Sequence, residues 1–263
     1  MPAVARALAL LDRLAEQRRP MSVARLAAEL ALPKSSVHGL CHTLLALGYL
    51  RRQDDGSLVI GPRVMRLAEA FLAGTDVARE FDTLWQAGAP LGTPDETVVL
   101  SVLDGAEVVY LAVRNGTRPL NLAFTKGMRL PAHLAATGRA MLALLDPAAL
   151  PRPLASAPLP ALTPRSLTDP AALAAELAAT RERGYSIDDE GVRMGVVGLA
   201  AAVLDAAGRP LAGVGVCLNK TTLDAAELAR QRQRVLDAAA LLSQRLGGGG
   251  PPLSPPLQPA TSA

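Results

Sequence analysis

Residues 22–61, "SVARLAAELALPKSSVHGLCHTLLALGYLRRQDDGSLVIG", constrain the fold more than any other stretch of the chain. Ser22 can cap a helix whose inward residues are Val23, Leu26, Ala27 and Leu30. Only Ala31-Leu32 then separates it from a second helix, with Pro33 in the first turn, where a missing N–H costs nothing. That second helix has Val37, Leu40, Cys41, Leu44 and Leu45 on one face and closes at Gly48. Two short extended runs around Asp55-Gly56 predict a hairpin. Upstream, Val4, Leu8, Leu11 and Leu14 line one face of a further helix that ends before Pro20. Three helices and a hairpin make a winged helix-turn-helix.

The second helix of such a motif presents its N-terminal residues to the major groove of a duplex. Lys34, Ser35 and Ser36 occupy that end, where free backbone N–H groups and the helix dipole favour phosphate. His38 lies one turn deeper, within reach of a base edge, and His42 follows on the same face. Arg51 and Arg52 open the hairpin, where a wing tracks the backbone or the minor groove. Ser22, at the start of the preceding helix, completes the candidate DNA-binding set. A solvated helix face is the plain alternative for Ser35, His38 and His42, but the short turn, the wing and the charge distribution favour nucleic acid. The net charge is only +3, yet residues 1–62 hold eight Lys/Arg against five Asp/Glu, while the remainder holds nineteen of each. A basic head on a neutral body is the footprint of phosphate binding at one end. His38 and His42 also form an HxxxH pair, but no third ligand accompanies them, so neither a metal nor a cofactor is expected.

From Pro62 to about Gly74 an amphipathic helix (Val64, Met65, Leu67, Ala68, Phe71, Leu72) is too isolated to bury itself within the head and is expected to pack on a partner. Beyond it, "TVVLSVL" and "EVVYLAV" flank Asp104-Gly105, and "VVGLAAAVL" and "LAGVGVCL" flank Ala207-Gly208, predicting two antiparallel hairpins of one sheet. Helices are predicted at about 132–145, at about 170–183 behind Asp169-Pro170, and at about 224–246 ending in Gly247. The expected organisation is α+β: a winged helix-turn-helix over 1–62, a linker and dimerisation helix over 63–76, an effector-binding domain over 77–247, and a disordered Gly/Pro-rich tail over 248–263.

Cys41 and Cys217 sit in separate apolar stretches, which excludes a disulfide framework or a cysteine metal cluster and fits a reducing cytoplasm. The opening apolar run is broken by Asp12, Arg13 and Glu16, too early for a signal peptide. "MGVVGLAAAVL", between Arg193 and Asp205, falls short of the roughly 20 residues that span a bilayer, so no membrane partner is expected.

The chain resembles the IclR-type bacterial transcriptional regulators, from "LAAELALPKSSVHGLCHTLLALGYLRR" through "LPAHLAATGRAML" and "LTPRSLTDPAALAAELAATRERGYSIDDEG" to the strand that follows. The resemblance covers nearly everything up to Gly247. It implies a DNA-binding head, a linker helix that pairs subunits, and a GAF/profilin-like effector domain sensing a small, often acidic metabolite. It also implies a homodimer or dimer of dimers on palindromic double-stranded operator DNA. Carried over by position, the implied effector pocket is formed by Ala136, Thr137, Asp188, Gly198, Gly215 and Cys217. Many relatives carry Cys at the position of Gly198 and Ser at those of Gly215 and Cys217, so this pocket is expected to be less polar and roomier, suited to a larger or more apolar acid. Relatives also usually carry Arg where this chain has Gly39, which removes one DNA contact.

Other residues have plainer readings. Asp188, Asp189 and Glu190 form an acidic run that sequence alone would place in a solvated loop, and only the family pattern raises Asp188. His133 is expected to cap or pack, and Cys217 to be inert core. The leading function is a metabolite-responsive DNA-binding regulator. The alternative is a dimeric small-molecule-binding protein or enzyme that uses the winged helix only for protein interaction. An enzyme is not expected, since the chain offers no paired carboxylate and His, no Gly-rich nucleotide loop opening a helix, and no metal set.

Overall fold

The computed structural model describes residues 3–17, 19–67, 76–86, 96–117 and 124–247. The chain divides into two compact units, 1–74 and 75–263. Most of the expected linker helix, of which 64–67 are helical, and the whole expected disordered tail lie outside the described residues.

In the first unit, α1 (Ala3–Gln17), α2 (Val23–Glu29) and α3 (Lys34–Ala46) precede β1 (Leu50–Arg52) and β2 (Leu58–Ile60), which pair antiparallel. Ser22 caps α2, its Oγ accepting the Arg25 N–H at 3.2 Å. Pro33 stands one residue outside the first turn of α3, as its N-cap. The connector turns at Ala31, a left-handed residue with φ 51°, and is closed by the Leu32 N–H donating to Ala27 O at 3.0 Å. Leu10, Leu14, Leu26, Val37, Cys41 and Leu58 form the centre of the core. One sequence expectation fails here: Val4 and Leu8 are 72% and 56% exposed, and the buried stripe of α1 runs through Leu10 and Leu14 with Ala7 and Leu11 against it. Apolar residues surround most of this helix, so spacing alone admits more than one buried face.

The second unit is built on a six-stranded antiparallel sheet. Its strands are β3 (Thr97–Asp104), β4 (Glu107–Arg114), β5 (Arg129–Pro131), β6 (Ser186–Asp189), β7 (Val196–Leu204) and β8 (Pro210–Asn219), in the spatial order β5-β4-β3-β8-β7-β6. Both predicted hairpins form, β3–β4 and β7–β8, and β3 also pairs with β8. The helices are α4 (Asp76–Gln86), α5 (Ala136–Leu142), α6 (Pro170–Arg183) and α7 (Ala225–Arg245). Asp169 and Asp224 cap α6 and α7 through their carboxylates, and Gly184, with φ 78°, closes α6. The helix expected to begin at 132 begins instead at Ala136, after a turn that buries Ala132 and His133.

Alternation along β7 separates the two faces of the sheet. Ala200 and Ala202 cluster with Ala136 and Ala140 of α5. Leu199, Ala201 and Val203 point the other way and are also buried, on the side where α7 packs through Val235, Ala238 and Leu242. Such a sheet needs small residues wherever a helix lies close. A Cβ at Gly213 would come within 2.7 Å of Thr137 O, and one at Gly138 within 2.2 Å of Ala132 O. Glycine at both positions lets α5 rest on backbone.

Candidate functional site

In the head, the exposed face of α3 carries Lys34, Ser35, His38 and His42 together, with Gly39 between the histidines. A Cβ at Gly39 would meet nothing within 4 Å, so this position opens to solvent. Ser36 differs from its neighbours: it is half-buried and its Oγ accepts the Arg6 guanidinium at 3.0 Å, which ties α3 to α1. Ser22 is committed to its cap. Arg51 and Arg52 are exposed at the wing, where Arg52 Nη1 donates to Gly56 O at 2.9 Å and braces the hairpin turn. The turn is further held by Asp55, which accepts the Ser57 N–H at 2.9 Å, and by Gly56 with φ 81°.

The second unit contains a cavity beneath the N-terminal end of α5. Strand register builds it. Asp188 on β6 faces Gly198 on β7, Gly198 faces Cys217 on β8, and Cys217 faces Thr97 on β3, so these residues form one crosswise row. The next row holds Ala200, Gly215 and Val99. All six residues named from the family resemblance, namely Ala136, Thr137, Asp188, Gly198, Gly215 and Cys217, line this one cavity. Sequence reasoning did not name the remaining wall, which includes Tyr110, Phe124, Val192 and Val196. Tyr110 was findable: it sits in the alternating strand "EVVYLAV" of a chain with only three tyrosines. Its ring meets Phe124 edge-on, with centroids 5.7 Å apart.

The lining is mostly apolar, as expected, but the cavity is not roomy. The cavity volume is about 20 Å³, enough for roughly one water. The reason is close packing at the glycines, by strand β7 first and by α5 second. A Cβ at Gly215 would lie 2.7 Å from Leu199 O and 3.1 Å from Thr137 Cγ2. The volume that glycine vacates is taken by neighbouring backbone and by Thr137, not left open. Gly198 is less crowded, with Ala136 Cβ at 3.3 Å from such an atom.

Polar groups enter the cavity at two places. On one side the Thr137 hydroxyl accepts the Ser101 O–H at 2.8 Å, and the Tyr110 phenol lines the same part of the wall. Burial, with the nearby Cys217 and Asp188, pushes that phenol well above its ordinary value, so it is a neutral donor and acceptor. The Cys217 thiol is pushed up in the same way by burial and then by Asp188, which keeps it protonated and unreactive. On the other side Asp188, 4% exposed, accepts the Gly191 N–H at 3.0 Å and the Val192 N–H at 3.1 Å. Burial raises its pKa, against the pull of Arg139 and the two amides. Arg139, whose charge on a wholly buried helix was the signal that sequence reasoning passed over, donates to Ile187 O and lies 3.5 Å from Asp188 Oδ1. Among the described residues its Nε has no hydrogen-bond partner. Ser186 Oγ donates to Ala136 O at 2.5 Å and pins the start of α5 to β6. His133, 1% exposed, meets Pro160 O through Nε2 at 3.0 Å, a packing role and not a base in the cavity.

Residues 89–244 match the family described as bacterial transcriptional regulator IclR, C-terminal, and residues 3–54 match the IclR helix-turn-helix domain. The chain belongs to the IclR family. It is 31% identical to the HTH-type transcriptional regulator XynR of Escherichia coli over 93% of this chain and 96% of that one. It is 37% identical to the repressor BlcR of Agobacterium tumefaciens, whose crystal structure matches with a TM-score of 0.59 over 94% of this chain and 98% of that one. An IclR homologue from Microbacterium hydrocarbonoxydans, solved with 4-hydroxybenzoate, shares the fold at a TM-score of 0.75 and 22% identity, over 93% of this chain and all of that one. IclR-family proteins are DNA-binding transcriptional regulators and not enzymes, and this chain is one of them. Among the described residues no helix is long and apolar enough to cross a membrane.

Proposed function

We propose that this regulator responds to a small organic acid bound in the cavity under α5, and that α3 and the wing carry its DNA contacts. The convergence of six residues from α5, β6, β7 and β8 on one cavity is the observation that supports the effector reading. Its walls suit an apolar or aromatic body, and the Tyr110–Thr137 hydroxyl pair offers hydrogen bonds to a polar end. A fixed negative charge at Asp188 disfavours a second carboxylate beside it, so the acid group is expected at the hydroxyl side. The homologue solved with 4-hydroxybenzoate makes aromatic acids a natural starting class.

In the head, Lys34 supplies phosphate affinity, His38 and His42 face the bases, and Arg51 and Arg52 follow the backbone from the wing. Ser35 adds a donor at the helix start, while Ser22 and Ser36 contribute through the backbone and helix positions they fix. The working unit is a homodimer or dimer of dimers, so that two recognition helices meet two half-sites. Effector binding then shifts the population of arrangements that match the operator, by unequal affinity for them.

Thermal unfolding with a panel of small acids, 4-hydroxybenzoate among them, tests the effector site. A true effector at a hundred times its Kd stabilises the folded state by about 2.7 kcal/mol. Tyr110→Phe and Thr137→Val should each remove most of that gain. Stabilisation that survives both changes would place the acid elsewhere.

A further inference from the structure

Among the described residues the cavity has one soft edge. Of the fourteen residues that line it, thirteen are buried and only Val192 is half-exposed. Val192 belongs to the hairpin loop 190–195 between β6 and β7, which enters through Glu190 at φ 66° and leaves through Gly195 at φ 80°. Val192 is the loop's apolar contribution to the cavity wall, and the next residues, Arg193 and Met194, are exposed.

The loop is held by side-chain hydrogen bonds from both sides. From within, the two carboxylate oxygens of Asp188 take the amides of Gly191 and Val192. From without, Thr163 Oγ1 donates to Glu190 O and Ser166 Oγ to Gly191 O, each at 2.7 Å. Glu190 itself folds back to accept the Gly195 N–H at 2.8 Å and the Lys220 ammonium at 2.7 Å. Such bonds exchange with water at small net cost, whereas the rest of the wall is packed core. α5 rests on backbone, and β3, β7 and β8 are interior strands. Asp188 also lines an open groove on the far side, together with Arg139, Arg165 and Glu176, so its carboxylate stands between that groove and the cavity.

We infer that the 190–195 hairpin is the door through which a small molecule reaches the cavity, latched by Asp188 on the inside and by Thr163 and Ser166 on the outside. Asp188 is then a positioning residue for the door, since both its oxygens are taken by the chain. This rests on the cavity being the effector site. Because the space beneath α5 admits about one water as it stands, a molecule the size of an aromatic acid cannot arrive without such a movement.

The test needs no effector. Cys217 lies in the cavity wall and Cys41 in the core of the other unit, and both are buried. The full-length chain is treated with methyl methanethiosulfonate, and modification of each cysteine is followed by mass spectrometry, with amide exchange measured in parallel. Thr163→Ala combined with Ser166→Ala alters no charge and should speed Cys217 modification about tenfold, the loss expected for removing two hydrogen bonds. Cys41 modification and amide exchange in β3 and β8 should stay unchanged, while the amides of Gly191, Val192 and Gly195 exchange faster together. Asp188→Asn also changes the charge beside Cys217, so its readout is exchange at the Gly195 amide, which Asp188 does not touch. Acceleration there supports a loop that opens as one piece, and it carries the test if the double variant fails to fold.

Three results would overturn the door. Loop exchange could quicken while Cys217 does not. The β3 and β8 amides could quicken along with Cys217, which is unfolding of the unit. Or the loop amides could stay protected in both variants. None of these bears on whether an acid stabilises the protein, so the effector site can stand while the door falls.

Discussion

Arg139 Nη2 lies 3.5 Å from Asp188 Oδ1, with each side chain only 6% exposed, which makes this the buried ion pair on which the cavity wall depends. Removing one partner leaves the other charged and desolvated. Asp188→Ala should therefore destabilise the effector unit by about 3–5 kcal/mol, and Arg139→Met comparably. Replacing both, as Arg139→Met with Asp188→Leu, should cost less than either alone, because no uncompensated charge remains. Chemical denaturation of the four proteins checks this, and additive losses would show that the two side chains act separately.

Burial holds the His133 imidazole below its ordinary value of 6.5, with Arg139 adding to the shift against the bond to Pro160. The unfolded chain takes up a proton near pH 6.5 while the folded one stays neutral, so His133 contributes stability above that pH. The contribution is lost as pH falls from about 6.5 toward the lower folded value. Thermal unfolding between pH 7.5 and 5.5 should show this decline, and His133→Gln should flatten it. Asp188 has the opposite sign: its raised pKa means that the folded state keeps a proton that the unfolded state has released. Its contribution therefore weakens as pH rises from about 3.8 toward the higher folded value.

Gly215→Ser adds a small polar side chain to the cavity wall, and in this chain it should destabilise. The new Cβ would stand 2.7 Å from Leu199 O and 3.1 Å from Thr137 Cγ2, and overpacking of that kind costs about 1–3 kcal/mol. Gly198→Ala, whose Cβ would meet Ala136 Cβ at 3.3 Å, should cost less. Urea midpoints of the two variants rank them, and a neutral Gly215→Ser would mean that β7 and Thr137 can both give way.

On the DNA side, Lys34→Ala should weaken binding to all duplexes alike and reduce the slope of log affinity against log salt by about 1. His38→Ala should instead relax choice at particular base pairs. Gly39→Arg enters open space and should raise affinity while steepening the salt slope. Titrations at several salt concentrations on operator and random duplexes separate these effects; equal, salt-independent losses for Lys34 and His38 would contradict the assignment.

The elements that the sequence made legible are those with local signals. Ser22 and Asp169 were readable as caps because a short oxygen-bearing side chain precedes a periodic apolar run, and each does cap its helix. Hairpins followed from Asp-Gly and Ala-Gly turns. The six cavity residues came from family position, and register explains why three of them share a row: β6, β7 and β8 align Asp188, Gly198 and Cys217. What was not legible is tertiary. Val4 and Leu8 have the same helical spacing as the stripe that is buried. Arg139 was passed over because its partner is 49 residues away and across a sheet. Cavity size was misjudged because a missing side chain was counted as empty space, when Leu199 O and Ala200 of β7 and Thr137 of α5 occupy it.

The glycines beneath α5 make the height of that helix an adjustable quantity. A methyl at 198 or 213 would act as a shim between sheet and helix, since the added carbon would press on Ala136 Cβ or on Thr137 O of α5, raising the ceiling over Asp188 and Tyr110. In this architecture the girth of an acceptable guest can drift by changes in the floor supports alone, with the Thr137 hydroxyl riding on the helix and the Tyr110 phenol left on the sheet.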